Sequence, residues 1–303
     1  MKEQKLIAIT GPSASGKSNL AINVAKELDG EIISVDSRQI YKELNIGSAK
    51  PTKEEKQGIV HHLMDFIDIT KDYTVADFAD DANIKIKEII EKGKTVILVG
   101  GTGLYFRVLL QDFDLPRVAP NQELRDSLNE KSVEELYKIL TKLDSEIAKK
   151  IHPNNKVKIV RALEVCKTLG IPMSQAQKKK DSPYKVLWTG LNSENRDFLY
   201  KRANLRVDKM LEQGLEEETK NLFMKYPENK ILLNTIGYQE LYPYLQGDCS
   251  IETAIDQLKQ NTRRYIKRQI SWFNSNKEIN WFDIETKCPE QIAETIIEKY
   301  KKL

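Results

Sequence analysis

Four short apolar runs set the rhythm of the chain: LIAIT (6–10), EIISV (31–35), TVILV (95–99) and VLWTGL (186–191). None alternates apolar with polar residues, so each reads as a strand covered on both faces, which is the signature of a parallel sheet in an α/β protein. Between them the period lengthens to that of helices. Thr74 and Asp77 form a capping pattern ahead of an apolar stripe that includes Val75, Phe78, Ile86 and Ile89.

From about Leu115 to Ser182 the pattern changes to charged helices. Ser132 and Glu135 make a second capping box, and VKIVRALEVCKTLG is an amphipathic helix stopped by Gly170 and Pro172. QKKKDSP then reads as an exposed hinge leading back to the last of the four strands. Beyond Asn192 the chain reads as mostly helical, with a long helix from about Ser250 to Phe273. The expected architecture is a P-loop three-layer α/β fold with a mostly parallel sheet. Its core spans 1–114 and 183–303, and a helical insertion occupies 115–182.

Composition narrows the class without naming a partner. Hydrophobic residues are 40% and charged residues 31% of 303, with a net charge of +3. That balance is ordinary for a globular protein and too weak to indicate a polyanion by itself. Cys166, Cys249 and Cys288 have no metal-ligand spacing. The first ten residues hold too short an apolar run for a signal peptide, and no stretch reaches the length of a membrane span. A cytoplasmic monomer is the expectation.

The chemistry begins at GPSASGKS, residues 11–18. Gly11, Gly16, Lys17 and Ser18 complete the phosphate-loop pattern between a strand and a helix. Backbone N–H groups of Ser13, Ala14 and Ser15 and the positive helix end suit phosphate oxygens. Lys17 adds a charge, and Ser18 can sit on Mg²⁺ or on an oxygen. Nucleotide hydrolysis is less well supported. TVILV runs into Gly100-Gly101-Thr102-Gly103 with no carboxylate, whereas ATPases and GTPases of this class carry an acid there. The acid that ends a core strand is Asp36. Carboxyl ends of parallel strands form the ligand crevice, so Asp36 should face the phosphate cradle and either bind metal or take a proton. Its alternative is a turn or helix-cap residue.

GPSASGKS, VDSRQIY, GSAKPT, HHLMD, GGTGLYFRVLL, VRALEV, LYKRANLRVDKMLEQGL, IGYQELYPYL and RRYIKRQISWF occur in this order between about Leu6 and Phe273. In this the chain resembles the bacterial tRNA dimethylallyltransferases, which move an isoprenoid group to N6 of adenosine 37. The resemblance implies that the loop holds dimethylallyl diphosphate as co-substrate, with Mg²⁺ helping. Lys17, Ser18, Arg202 and Arg206 would bind the diphosphate, Ser13 and Thr102 would line the reaction channel, and Asp36 would serve as general base. Arg202 and Arg206 share a helix face, although Arg202 could instead pair with glutamates on the surface. His61 and His62 match the family but lack further ligands, so a structural part is expected of them.

The tRNA contacts implied are Asp36, Ser37, Arg38, Gln39 and Thr102 at the flipped base, and Lys158 and Arg161 on the insertion. Arg263, Arg264, Lys267, Arg268 and Trp272 would contribute from the basic helix. Lys158 stands where the family commonly has arginine, keeping the charge but not the bidentate geometry. Basic residues interleaved with aromatic rings suit phosphates and unpaired bases, though such a run can equally be a solvated face over a core. Three other readings stand beside this one: a small-molecule P-loop kinase with the insertion as its lid, an isopentenyltransferase of free adenine nucleotides, and a non-enzymatic RNA-binding module.

Overall fold

The computed structural model describes residues 4–111, 116–177 and 182–303. Six strands form one sheet: β1 (Gln4–Thr10), β2 (Gly30–Val35), β3 (His61–His62), β4 (Thr95–Gly100), β5 (Tyr184–Asn192) and β6 (Asn280–Asp283). Their order is β3-β2-β4-β1-β5-β6, and every pairing is parallel. The four strands read from the apolar runs are the central ones, buried on both faces as the missing alternation required.

The two edge strands were not legible in sequence. β3 is only two residues, and β6, in a region expected to be helical, is the half-polar stretch NWFD. On β3, His62 Nε2 lies 2.7 Å from the Glu31 carboxylate, and His61 Nδ1 contacts the Ile59 carbonyl at 2.9 Å.

Helices cover both faces. The layer under Val75–Glu91 and Gly103–Leu110 is built on Phe78, Ile86, Ile89 and Phe106. The opposite layer packs Lys17–Glu27 and Pro289–Lys302 on Ile7, Ile9, Ile32 and Ile97. A further cluster, including Val207, Leu222, Tyr238 and Leu258, joins the helices that follow β5 to the segment around Tyr41 and Leu44. The capping boxes at Thr74 and Ser132 form as expected, and Gly170 ends its helix in the left-handed conformation.

The chain divides into two compact units, Met1–Leu110 with Pro183–Leu303, and Gln111–Ser182. The hinge expected at QKKKDSP falls largely on residues 178–181, outside the described residues, as does the expected boundary at 114/115. Among the described residues no helix is long and apolar enough to cross a membrane.

The smaller unit packs on an apolar cluster that includes Leu136, Leu140, Ile159 and Leu163, and among its described residues the carboxylates of Asp144 and Glu164 are buried. Glu164, fully buried on helix Lys156–Leu169, receives the Arg125 guanidinium through two hydrogen bonds of 2.8 and 2.9 Å and the Asn121 N–H at 2.8 Å. Arg161 is bound to the same carboxylate, and its Nη2 donates to the Val118 carbonyl at 2.9 Å. Burial by itself would raise the Glu164 pKa, but these donors outweigh burial and hold it at about 2. A depressed carboxylate stabilises the native state above its unfolded pKa and loses that contribution as pH falls toward the folded one. The expected outcome is a wild-type advantage over Glu164→Gln of about 3 kcal/mol above roughly pH 4.5. It should close as pH approaches about 2, read by urea unfolding of both proteins at stepped pH.

Candidate active site

Parallel strands deliver their carboxyl ends to one edge of the sheet, and three of those ends meet there. β1 leads into the phosphate loop, β2 ends beside Asp36, and β4 runs into Gly101-Thr102-Gly103. A cavity of about 360 Å³ opens between them, lined among others by Ser13, Lys17, Asp36, Arg206, Tyr265 and Gln269. One side is closed by the helices Arg196–Glu212 and Ile251–Phe273.

In the loop, Gly11, Ala14 and Gly16 all have positive φ, 142°, 62° and 92°. Gly16 opens the helix Lys17–Glu27 with no side-chain cap, which leaves the first-turn N–H groups to an anion. Lys17 Nζ donates to the Pro12 carbonyl at 2.7 Å, and Arg202 Nε donates to the Ala14 carbonyl at 2.9 Å. Arg202 thus holds the loop, and among the described residues no ion pair joins it to the glutamates downstream. Ser15 is buried, and its hydroxyl has no hydrogen-bond partner among the described residues.

The charges in the cavity act on one another. Burial pushes the Lys17 ammonium down, the Arg206 cation pushes it further, and Asp36 opposes both, leaving a pKa of about 7. Arg206 is likewise lowered by burial, with Asp36 and Glu55 countering. Two cations and one carboxylate thus face a common space, an arrangement that favours an anion of more than one charge.

Asp36 combines the two readings that the sequence left open. Its Oδ1 accepts the N–H groups of Arg38 at 2.8 Å and Gln39 at 3.2 Å, which is a turn role. Oδ2 has no hydrogen bond among the described residues, and the side chain lines the cavity. The neighbouring Ser37 N–H donates to Thr102 Oγ1 at 3.2 Å. Arg38 reaches the Asn234 carbonyl with Nη2 at 3.3 Å. Gln39 is fully engaged within the protein: Ser34 donates to its Oε1, and its Nε2 donates to the carbonyls of Ser48 and Ala49.

On the long helix, Arg264, Lys267 and Arg268 are exposed, while Arg263 is half-buried with Nη1 on Asn204 at 2.9 Å. Trp272 is 40% exposed, whereas its neighbour Phe273 is core, edge-on to Phe106 with ring centres 6.0 Å apart. Tyr265 lines the cavity with the Arg268 guanidinium 5.6 Å from its ring centre. Burial, reinforced by the Asp36 charge, holds its hydroxyl pKa at about 12, so Tyr265 remains a neutral donor. In the smaller unit Lys158 is exposed, and Arg161 is committed to Glu164.

Tyr265, read from sequence as one of the aromatic rings interleaved on the basic helix, lines the cavity together with Gln269, which the sequence did not single out. In sequence Gln269 sits among lysines and arginines, and what distinguishes it, its contacts with Ser13 and Gly101, comes from the fold. A Cβ on Gly101 would strike the Gln269 amide, and one on Gly103 would strike the Trp272 ring. The glycines after β4 therefore make room for the long helix to approach.

A family model described as IPP transferase matches residues 39–276. A tRNA dimethylallyltransferase of Halalkalibacterium halodurans is 43% identical over 291 residues, covering 94% of this chain and 92% of the relative. One of Alkaliphilus oremlandii is 42% identical over 99% of this chain and 98% of the relative. Among solved structures, a tRNA isopentenylpyrophosphate transferase from Bacillus halodurans matches with a TM-score of 0.75 at 41% identity, covering 99% of this chain and 97% of that one. A eukaryotic dimethylallyltransferase acting on tRNA matches with a TM-score of 0.84 at 30% identity, over 98% and 80%.

The lowered Lys17 pKa predicts a pH dependence. The protonated ammonium attracts phosphate, and its charge is lost as pH rises through about 7. The affinity of the free protein for an alkyl diphosphate should weaken by up to roughly tenfold per pH unit above that point. Lys17→Arg, whose guanidinium stays charged, should show a flat profile. Titration calorimetry from pH 6 to 9 checks both.

Proposed function

The chain belongs to the IPP transferase family, and we propose that it transfers the dimethylallyl group of dimethylallyl diphosphate to N6 of adenosine 37 in tRNA. The supporting observation is the cavity itself, in which a phosphate loop with two converging cations stands opposite a strand-end carboxylate. Family membership favours this reading over a small-molecule kinase, a free-nucleotide isopentenyltransferase or a non-catalytic RNA-binding module. The working unit is proposed to be a monomer, acting where tRNA is found in the cytoplasm.

In the reaction the C–O bond to the diphosphate breaks as the N6–carbon bond forms. The electron pair leaves with the diphosphate, and one N6 proton passes to Asp36. Loop N–H groups, Lys17 and Arg206 stabilise the charge that develops on the leaving oxygen, with Arg202 bracing the loop at Ala14. An exocyclic amine is a weak nucleophile because its lone pair is delocalised into the ring, and removing its proton during attack offsets that loss. Thr102 anchors the Ser37 N–H and so holds the segment carrying Asp36.

A magnesium ion fits this donor set as a companion of the diphosphate. Among the described residues no group of three His, Cys, Asp or Glu could cage a metal. Mg²⁺ characteristically takes one or two protein oxygens together with phosphate oxygens and water. Ser18, exposed in the first helical turn, would hold it. When bound it would neutralise diphosphate charge.

The tRNA backbone would meet the exposed Arg264, Lys267 and Arg268, with Trp272 offering a ring to an unstacked base. Ser37 and Arg38 line the cavity that a flipped adenine would enter, and Lys158 supplies a further exposed charge. Gln39, Arg161 and Arg263 are tied to protein groups, so any RNA contact by them must compete with those bonds.

Incubating the protein with unmodified tRNA and labelled dimethylallyl diphosphate, without ATP, should place the label on adenosine 37. A requirement for ATP, or label outside the anticodon loop, would overturn the assignment. Asp36→Asn should lower turnover by at least about 10²-fold while tRNA still binds, read by single-turnover kinetics and filter binding.

A further inference from the structure

The phosphate loop is strained and has few external supports. Besides the internal Ser15 N–H to Pro12 contact at 3.4 Å, it is held by Lys17 on Pro12, Arg202 on Ala14 and Gln269 on Ser13. Lys17 faces the cavity where the anion would sit, and Arg202 is exposed. Gln269 is the buried, neutral support: it is 5% exposed, and its Oε1 accepts the Ser13 N–H at 2.8 Å.

The other end of the same amide continues the connection. Gln269 Nε2 donates to the Gly101 carbonyl at 3.1 Å, and the next residue, Thr102, accepts the Ser37 N–H at 3.2 Å. A single side chain therefore joins the loop after β1 to the loop after β4 and, through Thr102, to the segment that carries Asp36. An amide suits the position because it offers one acceptor and one donor with no charge. A carboxylate would repel the Gly101 carbonyl, and lysine would have nothing to accept from Ser13. With the Ser13 N–H turned toward Gln269 and the Ser15 N–H toward Pro12, the other loop N–H groups and those of the first helical turn are the ones left for phosphate.

We propose that Gln269 is a positioning residue that shapes the phosphate loop for its anion and holds the leaving-group cradle in register with Asp36. The register part rests on the transfer reaction proposed above, whereas the effect on the loop does not. Gln269 also lies on the helix that presents Arg264, Lys267 and Arg268, which separates an RNA-facing side from a cradle-facing side of one element.

The test compares wild type, Gln269→Met and Gln269→Glu for inorganic pyrophosphate affinity, turnover, anticodon stem-loop affinity and thermal midpoint. Gln269→Met keeps the volume and loses both bonds. It should bind pyrophosphate about tenfold more weakly. It should also lose a further ten- to hundredfold in kcat from misplaced reacting groups. Stem-loop affinity should stay within about twofold, and the thermal midpoint within a few degrees. Gln269→Glu keeps an acceptor for the Ser13 N–H but, ionised, cannot donate to Gly101 and sets a negative charge beside the loop, so at pH 8 it too should bind pyrophosphate more weakly than wild type.

Pyrophosphate affinity equal in wild type and Gln269→Met would overturn the proposal, as would losses that simply follow the thermal midpoint. A wild type that binds pyrophosphate but transfers nothing would overturn the transfer reading alone. The binding difference would still decide the part played by Gln269.

Discussion

Lys17 and Arg206 are cations brought out of water to face the same small volume, and their mutual repulsion is the tension around which the site is arranged. Removing either from solvent costs free energy, and the second cation adds to the cost of the first. Asp36 offsets part of this, but one carboxylate cannot balance two cations together with a helix N-terminus. A diphosphate can, since its charges fall where the protein has concentrated positive potential. In the proposed transfer the same imbalance would stabilise the leaving group as charge builds on it, so binding and catalysis would draw on one electrostatic feature.

Such an arrangement needs a frame that does not yield. The parallel sheet supplies it by ending β1, β2 and β4 side by side, so that loops distant in sequence share one rim. Small residues allow the frame to close. At Gly101 and Gly103 the absence of a side chain lets the helix Ile251–Phe273 come near enough for Gln269 and Trp272 to reach the rim. The exposed face of that helix carries Arg264, Lys267 and Arg268, and its buried face supports the phosphate loop through Gln269.

The smaller unit follows a different economy. Its central charge, Glu164, is buried but fully answered by Arg125, Arg161 and a backbone N–H, and so contributes to structure. Arg161 shows how a basic residue can be read as an RNA contact in sequence and be largely committed to an internal carboxylate in the fold. Lys158, one turn earlier on the same helix, is exposed. The two differ because the buried carboxylate at position 164 lies three residues beyond Arg161, on the same helix face.

The sequence by itself determined what short-range chemistry controls. Apolar runs without alternation specified central parallel strands, Ser and Thr caps specified helix starts, and the spacing of Gly11, Gly16, Lys17 and Ser18 specified an anion cradle between strand and helix. Asp36 was legible as well, because an acid at the end of a core strand must face the crevice. Only the tertiary structure decided which polar groups remain available. Gln39 is occupied by the carbonyls of Ser48 and Ala49, and Arg202 braces Ala14 from 188 residues away. Gln269 reaches Ser13 across 256 residues. Periodicity and loop motifs extend over a few residues of chain, whereas a buried hydrogen bond depends on which backbone groups the packed layers bring within 3 Å. No local pattern encodes that.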